Sequence, residues 1–174
     1  EGDGRVVSQL SCYSPSDGEG MGLISTGLGF TQASGELSQE FCIPEGISQI
    51  RISWRFLSEE FREYCGGVYQ DTFHATLTLN EGQSNEQTLS IQKSTVDSLC
   101  YPEDCSGCGD QFGGLEAACV SFDQGGVWAT PWRETVADIS AFAGGGPVVL
   151  RFFATDIGDS GFDTAILLDD IRLQ

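Results

Sequence analysis

The sequence predicts an all-β fold: an antiparallel β-sandwich of the jelly-roll kind, carrying a disulfide-rich loop insertion. Three observations predict it. Short segments alternate apolar and polar residues with a period of two, glycine-rich turns separate them, and helical periodicity is nearly absent. In Gln49–Leu57, Ile50, Ile52, Trp54 and Phe56 fall on one face, and Arg51, Ser53 and Arg55 on the other. In Thr72–Leu79, Phe73, Ala75, Leu77 and Leu79 oppose Thr72, His74, Thr76 and Thr78. Val148–Ala154 is a more continuous apolar run, as in a central strand, and Ala165–Leu173 is a last strand. Weaker strands fit Val6–Leu10, Gly22–Thr26, Glu36–Ile43, Thr88–Gln92, Ala118–Phe122 and Thr135–Ile139. The turns are Asp17-Gly18, Glu45-Gly46, Glu81-Gly82, Gly125-Gly126 and Gly144–Gly146. The best helical window, Arg133–Phe142, is closed by that last glycine run.

The 174 residues are expected to form one domain, 1–174. Residues 1–12 are a candidate N-terminal arm, with Arg5–Leu10 as a donor strand for strand addition to a neighbour. Ser98–Cys119, with four cysteines and little periodicity, reads as a disulfide-pinned loop on the edge of the sandwich.

Twenty-six acidic and 8 basic residues give a net charge of −18, and Lys93 is the only lysine. That balance excludes a nucleic-acid binder, which needs a basic footprint, and an anionic membrane would repel it. No apolar run approaches the ~20 residues of a spanning helix. Carboxylates at this density repel one another unless neutralised, and outside a cell the readiest neutraliser is Ca²⁺. Cys12, Cys42, Cys65, Cys100, Cys105, Cys108 and Cys119 are dense enough to point to an oxidising, extracellular compartment. Spacing leaves their pairing open. Cys12–Cys42 is a candidate bridge, with Cys65 joining the loop cluster and one cysteine left free or paired between chains. Four loop thiolates on zinc are the alternative, though only one close pair, Cys105-x-x-Cys108, is present. The chain starts Glu1-Gly2-Asp3-Gly4 and is expected to be the mature product of an exported precursor.

Two acidic clusters carry the chemistry. Ser58-Glu59-Glu60-Phe61 precedes Tyr69-Gln70-Asp71-Thr72, and Asp156, Asp159 and Asp163 share a glycine-bearing loop between the two best C-terminal strands. Hard cations take six to eight oxygens from such flexible turns; a solvated polar turn is the other reading. No Gly-x-Ser-x-Gly elbow occurs, and the single histidine, His74, lies on the threonine face of a strand, so no catalytic residue is expected. Glu60 with Asp156 would serve as a glycosidase pair, but calcium ligation explains them more simply. Tyr69, Trp128 and Trp132, with Tyr101, are candidate sugar-stacking aromatics; core packing is the other reading.

Four motifs in series carry a resemblance. Pro15–Met21 leads into Leu23–Gly27. Phe56–Phe61 is followed by Tyr69–Phe73. Asp156–Ser160 is followed by Asp163-Thr164-Ala165, and then by Leu168-Asp169-Asp170-Ile171. In this order, over roughly residues 5–173, they resemble bacterial exported β-sandwich domains of the "choice-of-anchor" kind. Trp128–Phe142, with Asp138-Ile139-Ser140-Ala141-Phe142, is similar to a stretch of jelly-roll carbohydrate-binding and MAM-like domains. The resemblance implies a jelly roll with structural calcium, a cell-surface or matrix role and no catalysis. Its metal ligands would be Glu60, Asp71, Asp156, Asp159 and Asp163, with Glu59 behind them. Arg62, Cys65, Gly66-Gly67 and the Ser98–Cys119 insertion depart from the family pattern. The expected function is a secreted, calcium-stabilised, disulfide-bonded structural or adhesive module, self-assembling into a fibre by strand addition. The alternative is a lectin-like module whose partner is a cell-surface glycan.

Overall fold

The computed structural model describes residues 3–28, 33–100, 114–158 and 161–174. The strands are β1 (Asp3–Val7), β2 (Met21–Ser25), β3 (Ser34–Cys42), β4 (Gln49–Ser58), β5 (Thr72–Leu79), β6 (Gln87–Thr95), β7 (Glu116–Ser121), β8 (Gly126–Ala129), β9 (Arg133–Asp138), β10 (Pro147–Thr155) and β11 (Thr164–Leu173). A single helical turn, α1 (Val96–Cys100), follows β6, and a 3₁₀ turn, Ser140–Phe142, follows β9. Every pairing is antiparallel. One sheet has seven strands in the order β1-β2-β11-β4-β8-β7, with β9 also on β4; the other has four, β3-β10-β5-β6.

The two sheets face each other, as the alternation requires. Ile50, Ile52, Trp54 and Phe56 of β4 meet Phe73, Ala75 and Leu77 of β5 and Val148, Leu150 and Phe152 of β10 in one buried cluster. At about 1.5–3 kcal/mol for each buried large side chain, this cluster is the main source of stability. A second apolar layer lies on the opposite face of the seven-stranded sheet. There Met21, Leu23, Leu57, Ala165 and Leu167 are covered by Tyr13, with Leu10, Leu28 and Trp132 packed alongside. Arg55 on that face stacks over Tyr13 at 4.4 Å and pairs with Glu116. At the crossing of β1 and β3 the backbones nearly touch. A Cβ on Gly4 would lie 1.9 Å from the Glu36 carbonyl oxygen, so only glycine fits there.

Several sequence expectations shift. β1 ends at Val7 and does not reach Leu10. It pairs with β2 at the edge of its own sheet, so the expected donor arm is an ordinary edge strand of this chain. The helical window at Arg133 becomes β9 and the 3₁₀ turn, because Trp54 and five neighbours on β4 take the Arg133–Asp138 backbone into the sheet. The expected loop 98–119 is ordered structure at both described ends, α1 and β7, and β8 was not expected.

The disulfides are Cys12–Cys119 and Cys65–Cys100. The expected Cys12–Cys42 bridge is therefore wrong. Cys42 ends β3 opposite Pro147 in the four-stranded sheet and is an exposed free thiol. Cys12 lies beside β7, where the Ser11 hydroxyl donates to the Cys119 carbonyl at 2.8 Å. Cys65 does join the loop cluster, through Cys100. Cys105 and Cys108 lie outside the described residues.

Asp169 sits where β11 bulges between Asp169 and Arg172. Its carboxylate holds the N-terminal loop, accepting from the Ser16 hydroxyl at 2.8 Å, the Asp17 amide at 3.2 Å and the Ser16 amide. Burial pushes its carboxyl up, but these donors and the Asp170 amide together outweigh burial and hold it below the usual carboxylate range. A carboxyl lowered in the folded state stabilises it above the unfolded value of about 3.9, and that stability is lost as pH falls through the lower folded value. Thermal melts between about pH 3 and pH 7 should therefore show an acid limb that Asp169→Asn flattens, with a loss of about 1–3 kcal/mol at neutral pH. Identical acid limbs in the two proteins would contradict this role.

Candidate functional site

The two acidic clusters of the sequence meet at one corner of the sandwich, where β4 ends and β11 begins. A buried hydroxyl network sets the spacing. The Thr164 amide donates to Thr26 Oγ1 at 2.9 Å, the Thr26 amide donates to the Thr164 carbonyl at 2.9 Å, and Ser58 Oγ bonds the Thr164 hydroxyl and accepts from the Glu60 amide. Glu59 is thereby fixed against Asp163. Its amide donates to the Asp163 carbonyl at 3.1 Å, and the Asp163 amide returns a bond to Glu59 Oε2 at 2.9 Å. Glu59 Oε1 accepts from the Gln124 and Gly125 amides at 2.9 and 2.8 Å, which brings in the β7–β8 turn and its Asp123.

Glu60 and Asp71 point the other way and have no solvent exposure. The Asp71 amide donates to Glu60 Oε2 at 3.1 Å, and Asp71 Oδ1 accepts from the Ile157 amide at 3.1 Å. The Gln70 amide donates to the Ile157 carbonyl, so the Tyr69–Asp71 segment and the Asp156–Gly158 segment run together. Gly158 is part of this contact. It has φ +115°, and a Cβ there would lie 2.7 Å from the Tyr69 ring. Glu60 Oε1, Asp71 Oδ2 and Asp156 Oδ1 are all inaccessible to solvent. Asp159 lies outside the described residues.

Carboxylate oxygens of Glu59, Asp123 and Asp163 lie within 4.8 Å of one another. This trio could hold a metal ion. Glu59 and Asp163 are buried and Asp123 is exposed, so an ion there would be open to solvent on one side. The donors are all hard oxygens, which suit a hard cation and not a thiolate- or imidazole-seeking metal. Asp123 was missed in the sequence. Its one signal was an aspartate beside the Gly125-Gly126 turn. Arg5, Arg51, Arg55, Arg151 and Arg172 form ion pairs with carboxylates outside this corner.

Beside the trio an open cavity of about 600 Å³ is lined by Glu59, Arg62, Glu63, Gln124, Trp128 and Phe162. Trp128 is half-buried, packed on the inter-sheet core, with the Arg62 guanidinium 4.2 Å from its ring centre. The other candidate aromatics part company. Tyr69 stacks edge-on to Tyr64 at 5.0 Å, and Tyr64 contacts Phe162, also at 5.0 Å. Trp132 packs on the second apolar layer. Tyr101 lies outside the described residues. His74 stacks on Phe153 at 4.8 Å on the outer face of the four-stranded sheet, and burial and the Lys93 charge lower its pKa.

No protein-family model and no curated protein match the chain. Solved structures overlap it loosely. TmCBM61, solved in complex with β-1,4-galactotriose, shares 16% identity over 100% of this chain and 85% of its own, with a TM-score of 0.46. A family 16 carbohydrate-binding module shares 13% identity over 99% of this chain and 86% of its own, with a TM-score of 0.45. The CBM22-2 xylan-binding domain of Paenibacillus barcinonensis Xyn10C shares 13% identity over the same proportions, with a TM-score of 0.40. Overlaps this loose transfer no residue roles.

Proposed function

We propose that this chain is an extracellular, calcium-stabilised β-sandwich that binds glycans without catalysing their cleavage. The observation that carries the reading is the open cavity beside Glu59, Asp123 and Asp163. Its wall combines an indole and a phenyl ring with carboxylates, a guanidinium and an amide, the mixture that suits a ring with an apolar face and hydroxyls around its edge. Two disulfides, and the absence among the described residues of any helix long and apolar enough to cross a membrane, accord with an extracellular setting. Glu60 has no solvent exposure, which speaks against a role in a glycosidase pair. The fibre reading draws no support from β1, whose ladder partner is β2 of the same chain.

Calcium at the acidic trio would neutralise its carboxylates and brace the β4 end, the β7–β8 turn and the start of β11. Because such an ion binds only the folded state, chelation should lower the melting temperature. Calcium at a hundredfold excess over its Kd contributes about 2.7 kcal/mol, or roughly 5–10 °C for a chain of this size. An unchanged melting temperature in EDTA would contradict calcium binding. A glycan array probed in millimolar Ca²⁺ and again in chelator tests the function. The expected result is a set of hits that weakens in chelator and that Trp128→Ala reduces by about tenfold or more. No hits in either buffer, or hits indifferent to Trp128→Ala, would overturn it.

A further inference from the structure

We infer that the ligand is an extended oligosaccharide read along one edge of the sandwich, not a single terminal sugar. The inference rests on the glycan reading above and comes from a second polar cavity. That cavity, of about 440 Å³, is lined by Trp54, Gln92, Ser94, Ser98, Arg133 and Thr135. A directed hydrogen-bond chain organises it. The Trp54 indole N–H donates to Thr135 Oγ1 at 2.9 Å, the Thr135 hydroxyl donates to Gln92 Oε1 at 2.7 Å, and Gln92 Nε2 donates to Ser94 Oγ at 2.7 Å. An indole N–H can only donate, so the direction is set at Trp54 and each following group is oriented in turn. Ser94, almost wholly buried, thus accepts from Gln92 and offers its own proton as a donor. The Arg133 guanidinium lies 5.9 Å from the Trp54 ring centre, and Glu134 at the rim is engaged by Arg51 at 3.0 Å. Sugar hydroxyls both donate and accept, and this wall presents both kinds of partner.

The two cavities have no lining residue in common, but both lie along the same stretch of β4. Arg133 is opposite Trp54, and Trp128 is opposite Ser58, in the ladders that β9 and β8 form with β4. Trp54 and Ser58 are four residues apart on one strand, so their side chains share a face and are separated by about 13 Å. On the opposite side the elements are linked through the chain and a disulfide. Gln92 and Ser94 belong to β6, and Ser98 to α1. Cys100 at the end of α1 is joined through Cys65 to the segment that carries Arg62 and Glu63. A ligand filling the first cavity reaches the second only if it is a straight chain about the length of a short oligosaccharide.

Calorimetric titration with β-1,4-linked galactose, xylose and glucose oligomers, from one to six units and in millimolar Ca²⁺, tests this. For a series that binds, affinity should rise by about tenfold or more beyond the disaccharide and then level off. Arg133→Gln and Thr135→Val should each bring the longest oligomer down to disaccharide affinity while leaving disaccharide binding unchanged, which also shows that the variants are folded. A length-independent affinity, or variants that leave the longest oligomer unaffected, would overturn the extended-ligand inference and leave the glycan reading standing. Failure of every series to bind would overturn both.

Discussion

Glu59→Ala is expected to destabilise the fold by about 3–5 kcal/mol, the range for removing one partner of a buried charged interaction. The Glu59 carboxylate is 4% exposed and accepts three backbone N–H groups, from Gln124, Gly125 and Asp163. Truncation leaves all three donors without their acceptor and releases the β7–β8 turn from β4. Glu59→Gln should cost less, about 1–2 kcal/mol, because the amide oxygen still accepts from the turn while its NH₂ group faces the Asp163 donor. Urea melts at unchanged m-value read both numbers. A loss below about 1 kcal/mol for the alanine variant would show that the turn does not depend on this carboxylate. In chelator the alanine penalty should shrink, because removing one of three neighbouring carboxylates also removes repulsion that calcium otherwise cancels.

Replacing the disulfides by serine pairs should give two opposite rankings. Cys12 and Cys119 are 107 residues apart and Cys65 and Cys100 are 35 apart. Loop-closure entropy makes the first bridge worth about 5 kcal/mol and the second about 4. For glycan binding the order reverses. Cys12–Cys119 ties the N-terminal loop to β7 at the outer layer. Cys65–Cys100 joins the segment bearing Arg62 and Glu63, which lines the first cavity, to α1, whose Ser98 lines the second. Cys65→Ser/Cys100→Ser should therefore lose the longer oligomers first, at a temperature where it is still folded. If the Cys12–Cys119 variant loses binding more severely while folded, the disulfide link between the two cavities is not what positions the ligand.

What could be read in advance follows from what is local. The alternation in β4 and β5 directly encodes which side chains meet between the sheets, and Ile50, Ile52, Trp54 and Phe56 are all buried there. The meeting of the Glu59-Glu60, Asp71 and Asp156–Asp163 segments came from the resemblance and not from spacing, because β4 and β11 are distant in sequence and adjacent only in the sheet. Asp123 escaped notice because an aspartate in a turn has no local mark of what the turn packs against. Cys12–Cys119 escaped because loop closure over 107 residues leaves no signature in spacing. The outer apolar layer escaped because Tyr13 reaches it from a loop with no periodicity of its own.

The three tryptophans supply the most direct test of the whole account, since each lies in a different place. Trp128 lines the first cavity, Trp54 the second, and Trp132 packs on the outer layer. Indole N–H resonances followed by NMR during titration with a binding oligosaccharide in Ca²⁺ report on all three at once. Trp128 is expected to shift with every ligand and Trp54 to join it only with the longer ones, while Trp132 stays fixed. Binding that moves Trp132 while Trp128 stays fixed would place the glycan elsewhere on the protein and contradict the site described here.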